Sequence, residues 1–345
     1  MINLRQHIPQ YIVALFLLIM FATARTINLS VSGLISDSLV RLGMNGVLTL
    51  AMLPMLHAGA GLNFGMSFGI VAGLLGMSLA VNFRQIGLPG FCCALLFSIA
   101  FALVLGFFYS LLLNRVKGRE EIAGIFSGFS FIFLMNFFWA VAPFTNAAML
   151  WPIGGQGARP TVNLEPYFGK IVNNFLLIQL GDFQLPLGLI VSFLLLCLLV
   201  YIIFQSRLGL AIIATGESEQ FAQLSGVNVK KMRTYAIILS TVLAAVGICF
   251  YAQGYGFLEL YDAPLLMAFP AASAILLGGY TRRGASIFQV ITGTFLFQAL
   301  YVFTGPIANT LLAPQVSELL RMIISNGVIL YSLLYEGRQK NLAAK

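Results

Sequence analysis

The chain has 345 residues, of which 59% are hydrophobic and only 9% are charged. Soluble domains carry about 25% charged residues, so this chain cannot clothe itself in water, and it reads as an all-α polytopic membrane protein with one integrated domain over residues 1–345. Its net charge of +8 has no soluble basic domain to sit on. That excess fits inner loops enriched in Lys and Arg rather than nucleic-acid binding.

A span needs about 20 mostly apolar residues. Tyr11 to Thr26 supplies the first. Arg5, the apolar run to Phe21 and Ala22-Thr23-Ala24 imitate a secretory signal and its cleavage site, but the charge of the later loops requires this segment as an uncleaved span. Ile27 to Val40 is mixed and holds Asp37. Gly43 to Asn82 carries no Asp, Glu, Lys or Arg and predicts two spans, broken near His57-Ala58-Gly59-Ala60-Gly61. Leu88 to Leu113 and Ile122 to Phe144 flank a basic turn with Arg115, Lys117 and Arg119. A mixed outer loop over 145–185 leads to a span from Pro186 to Phe204. The polar loop 206–233 precedes a span from Thr234 to Gln253 and a short one from Pro264 to Gly278. Arg282 and Arg283 turn the chain into Ala285 to Phe303, and Leu319 to Leu334 closes the series. The total is about ten transmembrane helices with both termini on the cytoplasmic side, the arrangement that places most Lys and Arg inside.

The four cysteines, Cys92, Cys93, Cys197 and Cys249, lie in apolar runs and show neither metal nor disulfide spacing. His57 to Gly73 and Leu276 to Gly293 both place Gly-rich turns before a span. Such a weak internal repeat can mark a solute pathway, although Gly is also common at helix contacts in membranes.

The loop 206–233 stands out. It is the longest charge-bearing stretch of an otherwise apolar chain. The spacing predicts a short surface helix opened by Gly216, with Glu217, Ser218 and Glu219 in the first turn and Gly226 as its left-handed cap. Phe221 and Leu224 share a face beside the small Ala222, which makes a knob for a groove on a soluble partner. The pattern Ala214-x-Gly216, then Ala222, then Gly226-Val227-x-Val229, followed by a span and Leu276-Leu277-Gly278-Gly279, resembles the inner loop of ABC importer permeases of the branched-chain amino acid and simple-sugar family, ribose permease included. The resemblance is strongest from Arg207 to about Gly293. It implies that Gly216, Glu217, Phe221, Ala222, Leu224 and Gly226 form a helix coupled to an ABC ATPase subunit, with a second permease beside this chain and a solute-binding protein outside. In that family a G-[IL]-D-L-S-x-G motif follows the second span. Here Gly61-Leu62-Asn63-Phe64-Gly65-Met66-Ser67 stands in its place, with an amide for the acid and Gly for Ser. One reading of that departure is a different permease, keeping the motif, as the partner; an identical one stays open.

The chain has no G-x-x-x-x-G-K-[ST] loop, so ATP belongs to the partner and this chain binds no cofactor. It has no H-E-x-x-H, its only histidines are His7 and His57, and no predicted span carries a central Asp, Glu or Lys. A membrane enzyme and proton-coupled transport are both disfavoured by that lack. The spans instead offer neutral polar groups. Asn63, Ser127, Ser130, Asn136, Trp139 and Gln298 are candidates to line a path for a neutral hydroxylated solute. The same groups serve equally as helix–helix hydrogen bonds, worth about 0.6 kcal/mol each on average. A simple sugar is the leading solute class; nucleosides, riboflavin-like compounds and branched-chain amino acids stay open, as does an ATP-independent secondary transporter. The expected location is a bacterial plasma (inner) membrane, with lipid around the bundle.

Overall fold

The computed structural model describes residues 8–151, 157–280 and 284–311, with isolated positions between 319 and 330. Arg282 and Arg283, Pro152 to Gln156, and all but those isolated positions of the tenth predicted span lie outside the described residues. In chain order the elements are α1 (Ile8–Thr26), α2 (Val31–Leu50), α3 (Leu53–His57), α4 (Ser67–Asn82), α5 (Gly87–Arg115), α6 (Glu120–Val141), β1 (Thr161–Asn163), α7 (Ile171–Asn174), β2 (Leu177–Leu180) and β3 (Phe183–Pro186). They continue with α8 (Leu187–Gln205), α9 (Arg207–Glu217), α10 (Glu219–Leu224), α11 (Val229–Tyr255), β4 (Phe257–Glu259), α12 (Ala263–Leu266), α13 (Ala268–Leu277) and α14 (Ile287–Leu311).

Among the described residues six helical stretches are long and apolar enough to cross a membrane, namely α2 continued by α3, then α5, α6, α8, α11 and α14. Three shorter apolar helical stretches, α1, α4 and α12 with α13, lie among them. The α2–α3 stretch is 78% buried and α11 is 72% buried, against 28% for α5, α6 and α8. The first two therefore form the centre, and the other three present Leu and Phe outward to lipid. No water is available there to satisfy backbone groups, so helices are the form these segments take.

The second crossing helix begins earlier than the hydropathy suggested. Val31 to Leu50 is one helix, capped by the Ser30 side chain, which accepts from the Gly33 amide at 3.3 Å. Asp37 and Arg41 therefore lie in the first half of a helical stretch long enough to cross a membrane, and its centre carries no acid. A one-turn separation and a cavity beside them, described below, make two charges tolerable there.

Contacts between segment ends define two poles. At one, the residues around His57 meet Gly216 and Gly284, and Lys117 pairs with Glu219. At the other, β1 pairs antiparallel with β4, the Gly87 amide donates to the Tyr167 carbonyl at 2.7 Å, and Asn82 accepts from the Thr145 amide at 2.9 Å. Successive helices run alternately between the poles. The second pole carries the mixed loop 145–185, whose β2–β3 hairpin leans on α2 through the Gln184 amide and the Ser36 hydroxyl at 3.1 Å.

The bundle is built from two similar halves. α2 packs on α13 and α14, as α11 packs on α4 and α5; α4 packs on α5, as α13 packs on α14. After α3 the chain turns back toward the middle of α11, where Asn63 Nδ2 donates to Ser240 Oγ at 2.7 Å. After α11 the chain turns back through β4 to α12. The two returns meet where Ser67 Oγ donates to the Pro264 carbonyl at 3.2 Å and the Phe64 and Phe269 rings lie 5.5 Å apart. The repeat thus matches the turn before α4 with the turn before α12. The Gly-rich turns of His57–Gly73 and Leu276–Gly293 do each precede a helix, α4 and α14, but by packing order they fall at different places in the two halves.

Candidate functional site: the capped loop and the cavity

The loop 206–233 holds two helices rather than one. Ser206 caps α9, accepting from the Gly209 amide at 3.3 Å, and Ser218 caps α10, accepting from the Phe221 amide at 3.3 Å. Gly216 does not open the second helix; it lies in the last turn of α9. A Cβ there would sit 2.1 Å from the His57 carbonyl oxygen, so Gly216 is the point where α9 and the turn after α3 touch backbone to backbone. Gly226 closes α10 as expected, at φ +80°. The Val227 amide donates to the Ala222 carbonyl at 2.9 Å and the Gly226 amide to the Gln223 carbonyl at 3.0 Å, the paired bonds of a Schellman cap. Asn228 then caps α11, accepting from the Lys231 amide at 3.0 Å.

With both ends fixed, the orientation of α10 follows. Ala222 is fully buried against the bundle. Phe221 is 64% exposed and Leu224 is 90% exposed on the opposite side. Glu217, at the end of α9, is exposed as well. Two large apolar side chains three residues apart stand free on a rigidly capped turn.

Ion pairs tie this turn to the bundle, and the sequence alone did not single them out. Arg233, only 3% exposed at its side chain, pairs with Glu120 at the start of α6 and lies 3.5 Å from Glu219 Oε1 of α10. Lys117, in the turn between α5 and α6, pairs with Glu219 from the other side. Glu121 accepts from the Leu62 amide at 3.1 Å, which fixes the same turn to the break after α3. His57 completes the pole: its Nε2 lies 3.1 Å from the Ala285 carbonyl oxygen, and its ring is 4.6 Å from that of Phe204. The only sequence signal for Glu120 was an acid in the first turn of a span beside a basic loop.

The six pathway candidates occupy different places. Asn63 is fully buried; it donates to Ser240 and accepts from the Tyr109 hydroxyl at 3.1 Å, while Ser240 donates to the Ala51 carbonyl at 2.6 Å. This neutral lock joins the end of α2, α5 and α11. It gives a physical reason for the amide in the altered motif, since a carboxylate there would be a buried charge with no cation beside it. A Cβ on Gly65 would lie 2.2 Å from the Tyr109 hydroxyl, so Tyr109 takes the room that a serine at Gly65 would need. Ser127 donates to the Ala123 carbonyl at 2.6 Å and Ser130 to the Phe126 carbonyl at 2.9 Å, both within α6. Trp139 is fully buried against Phe138 and Phe144. The Trp139 indole N–H and the Asn136 Oδ1, one turn apart, are buried without hydrogen-bond partners. Gln298 on α14 is 5% exposed and reaches a closed gap beside Asn45, Thr49 and Met267.

Above that gap, toward the pole of loop 145–185, a cavity of about 580 Å³ opens between α2, α7, β3, α11 and α14. Asp37, Arg41, Lys170, Tyr251, Tyr255 and Tyr301 are among its lining residues. The Arg41 guanidinium carbon lies 5.1 Å from the centre of the Tyr301 ring, and the Tyr251 and Tyr255 rings stack at 5.8 Å and 24°. Beside this wall, in β4, burial and then the neighbouring Asp262 carboxylate push Glu259 above the usual carboxylate range. Among the described residues no group of His, Cys, Asp and Glu is placed to hold a metal ion.

A mostly helical bundle with apolar outer faces carries a capped, exposed apolar turn at one pole and a polar cavity toward the other. The chain belongs to the family described as the branched-chain amino acid transport system / permease component, which matches residues 2–333. It is thus a permease component of the ABC transporter type, a class without catalytic activity of its own. It is also 32% identical over 107 residues to the nucleoside ABC transporter permease protein NupC of Lactococcus lactis subsp. cremoris (strain MG1363), covering 31% of this chain and 33% of that protein. The match thus spans about a third of the relative's length. No solved structure matches the chain significantly.

Proposed function

We propose that this chain is the membrane-spanning permease subunit of an ABC importer in a bacterial plasma (inner) membrane. It moves a small neutral hydroxylated solute by alternating access, and a partner ATPase binds and hydrolyses the ATP. The observation that carries the reading is the knob: Phe221 at 64% and Leu224 at 90% exposure on a helix held by two caps and two ion pairs. Exposed apolar side chains on a rigid turn fit a groove on a soluble partner. ATP then drives transport only if it favours one conformation of the pair over the other, and α10 is the contact through which that preference reaches α11 and α6. A second permease and an extracytoplasmic solute-binding protein complete the assembly. Lipid covers the outer faces of α5, α6 and α8.

Among the solutes open to this family, a nucleoside has the most support. The similarity to a nucleoside permease points that way, and three tyrosines with a carboxylate in the outer cavity suit a flat base bearing hydroxyls and N–H groups. A simple sugar, the class favoured by the sequence pattern alone, is the alternative. Phe221→Asp and Leu224→Asp test the coupling role: each leaves the protein inserted but lowers uptake at least tenfold and detaches it from ATP hydrolysis. Normal uptake in both variants would remove that role. An affinity-tagged chain taken up in mild detergent should bring an ATPase subunit with it, and a chain that emerges alone would speak for a secondary transporter.

A further inference from the structure

We propose that Glu219 works as a clutch: its ion pairs hold α10 on the bundle, the ionic strength around the knob sets how firmly they hold, and with them released ATP is hydrolysed without moving solute. This rests on the importer reading above and adds the residue that sets its coupling. Of the six residues of α10 only Ala222 is buried. One methyl group removes little apolar area from water, so packing gives α10 a weak grip. The rest of the grip comes from Glu219. Lys117, in the turn before α6, pairs with it, and Arg233, near the start of α11, stands 3.5 Å from its Oε1. One carboxylate therefore ties α10 both to α11 and to a turn 102 residues away in the chain.

The two halves of this network are built differently. The side chains of Arg233 and Glu120 are 3% and 9% exposed, whereas those of Glu219 and Lys117 are 33% and 51% exposed. Salt screens exposed pairs far more than buried ones, and exposed pairs are weak to begin with. When Glu219 lets go, Arg233 keeps Glu120 and Lys117 returns to water, so no cation is left buried and alone. Releasing α10 thus costs little, while the Arg233–Glu120 pair still holds α6 to α11. The ends of α10 allow the movement. Ser218 lies extended between α9 and α10, and Gly226 follows α10 at φ +80° with no atom within 4 Å of its Cβ position. Single residues at the ends of elements can absorb the swing of the piece between them, and the caps keep Phe221 and Leu224 fixed on α10 as it moves.

The test uses the whole transporter in lipid vesicles, with Cys92 and Cys93 replaced by Ala and spin labels on Gln223→Cys of α10 and Arg119→Cys before α6, both exposed positions. The distance between the labels should be narrowly distributed at about 0.1 M KCl and broad at about 1 M, as the Debye length falls from about 10 Å to about 3 Å. Glu219→Gln should broaden it at both salts. Lys117→Gln should broaden it at lower salt than the native chain needs, and Lys117→Arg, which restores a cation, should undo that change. In unlabelled transporters, uridine taken up per ATP hydrolysed should fall about fivefold across the same salt range and stay at the low value throughout in Glu219→Gln. A distance indifferent to both salt and Glu219→Gln would overturn the clutch, and so would a Glu219→Gln transporter that keeps the native uptake per ATP. A chain that binds no ATPase would overturn the importer reading instead, and one that moves no uridine the nucleoside reading; in both cases the label distances still decide whether Glu219 grips α10.

Discussion

Gly216 and Gly226 bracket one loop for different physical reasons, and their substitutions separate those reasons. At Gly216 a methyl group meets the His57 carbonyl at 2.1 Å, and neither backbone can yield without moving α9 or α3. Gly216→Ala should cost about 1–3 kcal/mol, as overpacking does. Gly226 has open space around it but stands at φ +80°, so Gly226→Ala should cost about 1–2 kcal/mol through backbone strain alone. Thermal unfolding in detergent measures both; uptake should fall further in the first, which loosens α9 from the bundle. The Arg233–Glu120 pair is the other residue-scale test. Arg233→Met leaves Glu120 buried with no cation and should destabilise by about 3–5 kcal/mol, whereas Glu120→Gln combined with Arg233→Met should recover much of that loss. A double variant as unstable as the single one would show that the pair matters for something other than charge. Neither the ion pair nor the Asn63–Ser240–Tyr109 lock was legible from sequence, because their partners lie 113, 177 and 46 residues apart and no local rule joins them.

At the scale of elements, α10 has six residues and cannot hold itself together in water. Its caps and its two ion pairs stand in for length. Ser218→Ala removes the bond to the Phe221 amide and should cost about 1 kcal/mol. The effect on transport should exceed the effect on stability, since the knob loses its orientation while the bundle stays whole; equal losses in both would argue against a coupling role for α10. The sequence placed the knob correctly, through Phe221, Leu224 and Gly226, because their spacing is local. It misplaced the helix start, because Ser218 and Gly216 are both acceptable local starts and only the packing of Gly216 on His57 decides between them. α2 was shortened for a similar reason. Asp37 and Arg41 lower the hydropathy of its first turns, although the helix runs straight through them.

For the whole molecule, the alternation of helices between two poles makes an accessible test. Cysteines placed at Asp182, in the β2–β3 turn, and at Ser225, beside the knob, lie at opposite poles, and both positions are exposed. An impermeant thiol reagent should label the first in intact cells and the second only after permeabilisation. Labelling of both from outside would break the topology and the coupling reading together. The sequence by itself determined that the chain lives in a membrane, roughly where its apolar helices run, and which loop carries a capped, exposed apolar turn, because hydropathy, charge and capping are properties of neighbours along the chain. Only the tertiary structure decided that the two returns meet at Ser67 and Pro264, that Asn63 serves a lock, and that Asp37, Arg41 and the tyrosines share one cavity. Those facts come from pairing two halves of the chain, through contacts 197 and 177 residues apart and the approach of α2 to α14. An apolar sequence leaves that pairing open, since inside lipid one leucine-rich face is as soluble as another and only packing shape and rare polar contacts choose the partner.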